Sequence, residues 1–163
     1  MTRLVSLGAL PALLLAGCAP KTPAPLAANH ARAISDSIHN TLVAYTDRLN
    51  QADRDSLIRF YADDPRFSWA ADGQVATHSV AQVRAQFDAL AGFQRWHVEY
   101  KDPTIVPLAP GLASVATEYQ MSLADSTGKG VAFNGALTML WINTPAGWKI
   151  LGGHSSSPPR QPQ

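Results

Sequence analysis

Apolar residues in the first half of the chain recur with the spacing of a helix. Between His30 and Gln51 they fall at steps of three and four, which predicts one long helix with a single apolar face: Ile34, Ile38, Leu42, Tyr45 and Leu49. A short helix is predicted after Asp53, a suitable N-cap, and it must end before Pro65. A third is predicted to begin at Ser79 and end at Gly92.

After Gly92 the spacing changes to two, the period of a strand. Apolar and polar residues alternate, so that one face of each strand is apolar, over residues 96–101, 115–123, 131–141 and 148–154. The turn clusters Asp125–Gly130 and Asn143–Gly147 separate the later strands, and Gly135 and the pair Gly152–Gly153 are typical of bends or bulges. Helices followed by long antiparallel strands predict an α+β fold, with the helices on one face of the sheet.

The N-terminal segment has the pattern of a targeting sequence. Arg3 precedes an apolar run that ends at Leu15, and this run is shorter than the ~20 residues that span a bilayer. The run closes on Leu15-Ala16-Gly17-Cys18, which resembles the lipobox of a bacterial lipoprotein signal peptide. The resemblance implies cleavage before Cys18 and a lipid on that residue, which would be the membrane attachment. The alternative is an ordinary secretory signal with a chance cysteine.

This pattern divides the chain into four parts. Residues 1–17 are the predicted signal peptide, 18–29 the lipidated cysteine with a Pro/Ala-rich tether, 30–154 one domain, and 155–163 a polar tail predicted to be disordered. Ala19 stands where inner-membrane lipoproteins carry Asp. The resemblance therefore implies a lipid-anchored protein of the cell envelope, on the outer membrane facing the periplasm.

Charge and cysteine content exclude some classes of partner. The chain has 13 Lys and Arg against 12 Asp and Glu, and removal of the signal with Arg3 leaves 13 − 1 = 12 against 12. A net charge of zero argues against nucleic acid and against a polybasic lipid-binding surface. Cys18 is the only cysteine, so no disulfide can form within the chain.

Two motifs resemble a known superfamily. The segment Phe60–Pro65, followed by Phe67-Ser68-Trp69 and Gly73, resembles the helix-to-hairpin segment of the nuclear transport factor 2-like superfamily. Gly147–Leu151, followed by His154-Ser155-Ser156, resembles the last strand of its SnoaL-like and ketosteroid-isomerase-like branch.

The resemblance implies a definite architecture. It is a cone-shaped, strongly curved antiparallel sheet wrapped around the long N-terminal helix, with two shorter helices and a pocket at the open end. The superfamily contains isomerases, dehydratases and cyclases, and also proteins that only bind or assemble, often as homodimers through the sheet. A homodimer is therefore expected as one outcome.

An enzyme of this kind would need a carboxylate or histidine as a general base. The apolar strand faces carry neither Asp nor Glu, since Glu99 and Glu118 fall on the polar side of the alternation. Asp63, in a turn-like Asp-Asp-Pro, and His154, on the last strand, remain as candidates. Without a bulge, His154 would share a face with the neighbouring apolar residues of its strand. Both also have a structural interpretation, as a turn residue and as a hydrogen-bonded strand residue.

Aromatic residues on the apolar faces are the predicted ligand-binding groups. They are Trp96, Tyr100, Tyr119 and Trp141, with Trp69 expected near the rim of the pocket and His154 as the polar group. The alternative is that they form the core, because apolar pockets and cores use the same residue types. There is no His-x-x-x-His spacing and no Gly-rich phosphate loop, so neither a metal nor a cofactor is predicted.

The sequence as a whole favours a binding function. The expected protein is a membrane-tethered, non-catalytic domain that binds a small apolar or aromatic ligand or a partner protein. The alternative is an isomerase, dehydratase or cyclase that uses a pocket His or Asp as its base.

Overall fold

The computed structural model describes residues 25–158. The predictions for the signal peptide, for Cys18 and for most of the tether lie outside the described residues. No helix in residues 25–158 is both long and apolar enough to cross a membrane.

Three α-helices form where the sequence predicts them. They are α1 at Ala28–Asn50, α2 at Arg54–Leu57, which continues into a 3₁₀ turn at Ile58–Phe60, and α3 at Val80–Ala89. The side chains of Asp53 and Ser79 accept hydrogen bonds from Ser56 N and Gln82 N, and so cap α2 and α3 as expected.

In the described part of the chain, residues 25–158, six strands form one sheet. They are β1 (Ser68–Ala71), β2 (Gln74–Thr77), β3 (Arg95–Ala109), β4 (Leu112–Ala124), β5 (Gly130–Thr144) and β6 (Gly147–Ser156). Their order in the sheet is β2-β1-β6-β5-β4-β3. Strands β3 to β6 are antiparallel as predicted, whereas β1 runs parallel to β6. Alternation along a strand does not reveal the direction of its neighbour, so the sequence pattern could not indicate the parallel pair.

Strand β3 is longer than the alternation predicts. The regular pattern ends at Lys101, but the strand resumes after Asp102 and Pro103 and continues to Ala109. Asp102 has a φ of 43°, and the pairing with β4 shifts register between Lys101 and Thr104. This bulge bends the strand without ending it.

A bulge in β6 decides where the last candidate residue points. Trp141 pairs with Ile150 and Leu140 pairs with Gly152, which leaves Leu151 as an extra residue. Because successive side chains alternate, one extra residue moves every later side chain to the opposite face. The condition under which His154 would share a face with the apolar residues of β6 is therefore not met, because the bulge turns it to the exposed side.

The core lies between α1 and one face of the sheet, which we call the inner face; the opposite one is the outer face. The five apolar positions of α1 are all buried. They form one cluster with inner-face residues Trp96, Val98, Ala113, Val115, Leu123, Leu137, Met139, Trp141 and Ile150. This arrangement confirms the predicted α+β fold with a curved sheet around the N-terminal helix. Helix α1 begins two residues before His30, and β6 extends two residues beyond His154.

Candidate functional site

Trp96 and Trp141, predicted to line a pocket, lie in the core. Their exposed fractions are 5% and 0%. The indole nitrogen of Trp96 donates to the carbonyl of Phe93 at 2.9 Å. Trp141 packs edge-on against Tyr45, with ring centroids 6.5 Å apart. Both rings therefore act as packing residues, in line with the core alternative of the sequence.

Of the other predicted aromatic residues, Tyr100 pairs across β3 and β4 with Tyr119 and packs against the core, whereas Trp69 and Tyr119 contact the end of β6. The Trp69 indole nitrogen donates to Ser155 Oγ at 3.2 Å, and Tyr119 Oη lies 3.5 Å from Ser157 Oγ. Tyr119 also packs edge-on against Phe133, with centroids 6.3 Å apart. We call Trp69, Tyr119, Phe133, Ser155 and Ser157 the rim cluster. Its rings are only partly buried, and Phe133 is 39% exposed.

Two glycines make room for the rings of the rim cluster. A Cβ on Gly153 would lie 2.6 Å from Trp69 Cζ3, and one on Gly135 would lie 3.0 Å from Tyr119 Oη. Both distances are shorter than ordinary carbon contacts. Gly135 and Gly153, at which the sequence predicts bends, therefore leave the space that the two aromatic side chains occupy.

The hydroxyls of Tyr45, on α1, and Tyr61, just after the 3₁₀ turn, form a buried pair. Tyr45 Oη and Tyr61 Oη are 2.6 Å apart, and the two residues are 5% and 9% exposed. Burial raises the pKa of both phenols, and it also raises the pKa of Tyr100. These hydroxyls stay protonated at neutral pH and act as neutral hydrogen-bonding groups.

The sequence did not identify this pair as a site. Tyr45 was only one position of the apolar stripe on α1, and Tyr61 was part of the motif after α2. Nothing in the local spacing indicates that two residues 16 positions apart share a hydrogen bond. The signal that could have raised the question is the hydroxyl itself, since a buried tyrosine normally finds a partner.

The candidate acid–base residues lie away from the inner face. Asp63 is exposed. Asp64 accepts two hydrogen bonds from the Arg66 guanidinium, at 2.9 and 2.7 Å, and bonding to Arg66 lowers its pKa to about 2. His154, Glu99 and Glu118 are exposed on the outer face. Apart from aromatic residues, the buried polar side chains within residues 25–158 are Thr77 and Thr117.

The outer face carries a polar groove of about 510 Å³. Lys101, Glu118, Thr138 and His154 contribute to it from four neighbouring strands. In the part of the chain that the structure describes, no group of three or more His, Cys, Asp or Glu side chains is placed to hold a metal ion.

A second, larger groove of about 1140 Å³ runs beside the rim cluster. It is formed by the first part of β5, by the turn at Asp72 and Gly73, and by Ser156–Pro158. Val131 and Phe133, 51% and 39% exposed, supply its apolar surface.

One protein family matches the chain. Residues 38–160 match the SnoaL-like domain. No curated protein matches the chain in sequence.

Solved structures with similar folds come from several kinds of protein. A Novosphingobium aromaticivorans protein provisionally described as a scytalone dehydratase has a TM-score of 0.69 at 9% identity, covering 78% of this chain and 85% of its own. A nuclear transport factor 2-like protein from Salmonella enterica has a TM-score of 0.62 at 17% identity, covering 82% and 94%. The association domain of C. elegans CaMKII has a TM-score of 0.62 at 16% identity, covering 78% and 98%. At these identities the likeness concerns the fold alone.

Proposed function

The chain belongs to the SnoaL-like domain family. From this premise we propose that it is a membrane-tethered, non-catalytic domain that binds a small aromatic ligand at the rim cluster. The observation that carries the proposal is the chemistry of the inner face. Its groups are aromatic rings, protonated tyrosines and serine hydroxyls, whereas the Asp, Glu and His side chains considered as bases lie elsewhere. Such a surface suits a planar apolar ligand held by one or two hydrogen bonds.

The rim cluster offers that ligand both contact surface and polar partners. Tyr119 and Phe133 form an edge-on pair beside which a further ring can pack, and edge-on aromatic pairs contribute ~1 kcal/mol beyond area burial. Ser157 Oγ and Tyr119 Oη, 3.5 Å apart, can each donate to an oxygen of the ligand. Trp69, fixed by Ser155, closes the cluster on the side of β1.

A titration with 2-naphthol, a planar aromatic molecule with one hydroxyl, tests the proposal. Tyr119→Leu should weaken binding about fivefold, because it removes an aromatic contact and a hydroxyl together worth ~1 kcal/mol or more. His154→Ala is the matched control, since His154 lies on the outer face and should leave affinity unchanged. Equal affinity of all three proteins would remove the rim cluster from the site.

The membrane tether is part of the same proposal. The lipobox-like residues Leu15–Cys18 support a lipid on Cys18 and a location in the cell envelope, on the outer membrane facing the periplasm. The nine residues from Ala19 to Ala27 precede α1 and include three prolines. An extended segment of this kind would hold the domain roughly 30 Å from its anchor, at ~3 Å per residue.

A second copy of the chain is the partner that the outer face suits best. Small side chains, Ser114, Ala116, Ala136 and Thr138, cover its centre and allow close approach of another sheet. Thr138→Arg should shift the protein to a monomer, and Val43→Arg, on the exposed side of α1, should not. Sedimentation velocity distinguishes the two results.

The alternative function is an isomerase, dehydratase or cyclase with His154 or Asp63 as general base. The observation in its favour is the buried pair of Tyr45 and Tyr61, which could polarise a ligand oxygen. A base would still have to reach the same ligand, and both candidates are exposed on other surfaces. Turnover of a rim-bound ligand that Asp63→Asn or His154→Ala abolishes would establish this alternative over the binding function.

A further inference from the structure

Strand β5 has one edge that is only half paired. Against β4 it pairs along Gly130–Ile142, but against β6 the pairing begins only at Ala136, opposite Ser156. Within residues 25–158, no strand pairs with the other edge of Gly130–Gly135, which we call the free edge. At ~3.3 Å per residue this edge is about 20 Å long.

The free edge lines an open groove. Its alternate residues Val131 and Phe133 are exposed large apolar side chains, 51% and 39% accessible. The groove of about 1140 Å³ beside them is bounded on its far side by Asp72 and Gly73. Asp72 holds the end of β6 in place, because its backbone N–H donates to the Ser155 carbonyl at 3.2 Å and its Oδ1 accepts from Ser157 N at 2.8 Å.

The sequence that follows β6 is unsuited to closing this edge. If the register Ser156–Ala136 continued, Ser157 would stand opposite Gly135, Pro158 opposite Asn134 and Pro159 opposite Phe133. In an antiparallel ladder every second residue must donate its N–H across the pair. Proline has no N–H, so of two consecutive prolines one always falls on a donating position. The described ladder ends at Ser156, and two consecutive prolines disfavour its continuation along β5.

We propose that the edge of β5 at residues 130–135 is a docking site for an extended segment of a partner polypeptide, which adds to the sheet in the line of β6. The backbone of the partner pairs with β5, as in other cases of strand addition. Its alternate side chains are apolar and contact Val131 and Phe133, and it carries no proline at the donating positions. The site uses the edge of the sheet and is separate from the outer face, but it shares Phe133 with the rim cluster, so the peptide and the small ligand should compete.

Hydrogen exchange measured by mass spectrometry on the full chain in detergent micelles tests this proposal. The probe is the synthetic peptide KTVTVTVK, and its control is the same peptide N-methylated at alternate backbone positions. The unmodified peptide should slow exchange of the edge-facing amides in residues 130–135 about fivefold, since each backbone hydrogen bond gained contributes ~1 kcal/mol. The N-methylated peptide should have no effect, although its side chains are the same.

A second test replaces the two prolines that follow β6. The double substitution Pro158→Thr with Pro159→Thr restores the two N–H groups and should let the residues after Ser156 continue the ladder. Residues 130–135 should then be protected without peptide, and added peptide should change nothing. Pro110→Thr with Pro145→Thr, in turns at the other end of the sheet, is the matched control and should behave like the wild type.

Four results would overturn the proposal. Slow exchange in the wild type alone of the amides in 130–135 that point away from β4 would mean that the edge is already covered within the chain. Protection that grows with protein concentration would identify a second copy as the occupant. Equal effects of both peptides would indicate side-chain contact without strand addition. No protection in the threonine variant would show that the register of β6 does not continue along β5.

Discussion

At the scale of single residues, the stability of the fold should be most sensitive to removal of one hydroxyl from the pair of Tyr45 and Tyr61. Tyr45→Phe removes one hydroxyl and leaves Tyr61 Oη buried without the partner it has at 2.6 Å. The free energy of unfolding should fall by about 1 to 2 kcal/mol. Tyr119→Phe is the control, because its hydroxyl contact is longer and more exposed, and it should cost less than ~0.5 kcal/mol. Urea unfolding of the three proteins checks the difference.

The same tyrosines set the alkaline limit of stability. Burial raises the pKa of Tyr45, Tyr61 and Tyr100 above the ordinary value of 10.0. Their contribution to stability is fully present below pH 10 and is lost as the pH rises towards the folded-state pKa. Tyrosinate absorbance of these residues should therefore appear together with loss of the folded circular dichroism signal. Titration of all four tyrosines in a protein that is still folded would contradict their burial.

Gly153 shows how a missing side chain shapes the rim cluster. An added Cβ would lie 2.6 Å from the Trp69 ring, so Gly153→Ala must displace the ring or the strand. We expect a loss of about 1 to 3 kcal/mol, typical of overpacking. Gly92→Ala is the matched control, since nothing lies within 4 Å of its added Cβ, and it should be neutral or slightly stabilising. A melting curve of Gly153→Ala that coincides with the wild type would show that the rings do not rest on this glycine.

At the scale of elements, the sequence predicts periodic segments well and breaks in periodicity poorly. The apolar stripe of α1 and the caps Asp53 and Ser79 could be predicted because each depends on residues within a few positions. The extra residue Leu151 and the bulge at Asp102 were not, because a bulge is defined by the residues opposite it on another strand. For the same reason the outward position of His154 could not be read from its own strand.

The Leu151 bulge gives a test at this scale. Deletion of Leu151 should restore regular alternation and turn His154 into the apolar inner face, while Ser155 loses Trp69. The cost should be at least ~3 kcal/mol, because a polar ring is buried without a partner. Adding His154→Val to the deletion should recover part of that loss, whereas His154→Val alone should cost less than ~0.5 kcal/mol. Thermal melts of the wild type, the two single variants and the combined variant complete the double-mutant cycle. If His154→Val recovers no stability in the deletion variant, His154 does not turn to the inner face when Leu151 is removed.

At the scale of the whole molecule, residues 25–158 contain the α1 stripe, the complete sheet and the core between them. The family resemblance predicted the curved sheet around α1, and the structure confirms it. The candidate site was foreseen only in part. The aromatic residues were identified and Trp69 was expected near the rim, but the division of the strand-face residues into core (Trp96, Trp141) and rim (Tyr119) depends on tertiary packing that spacing does not encode.

The lipid anchor is a prediction about the whole chain. Cys18→Ala should abolish lipidation and leave no mature membrane-bound form, because Cys18 is the only cysteine to which the lipid can be joined. Mass spectrometry of the membrane fraction checks it, with Ser157→Ala as a variant that should be processed normally. An unmodified Cys18 on the mature membrane-bound protein would contradict the lipoprotein interpretation.

The most direct test of the central claim is a map of where a small aromatic ligand binds. Residues 25–158, labelled with ¹⁵N and titrated with 2-naphthol, should show saturable amide shifts centred on Tyr119, Phe133 and the Trp69 indole. Residues around His154 and Glu118 on the outer face should not change. Shifts centred on the outer-face groove, or no saturable shifts on the inner face, would contradict the proposal that this domain binds its ligand at the rim cluster.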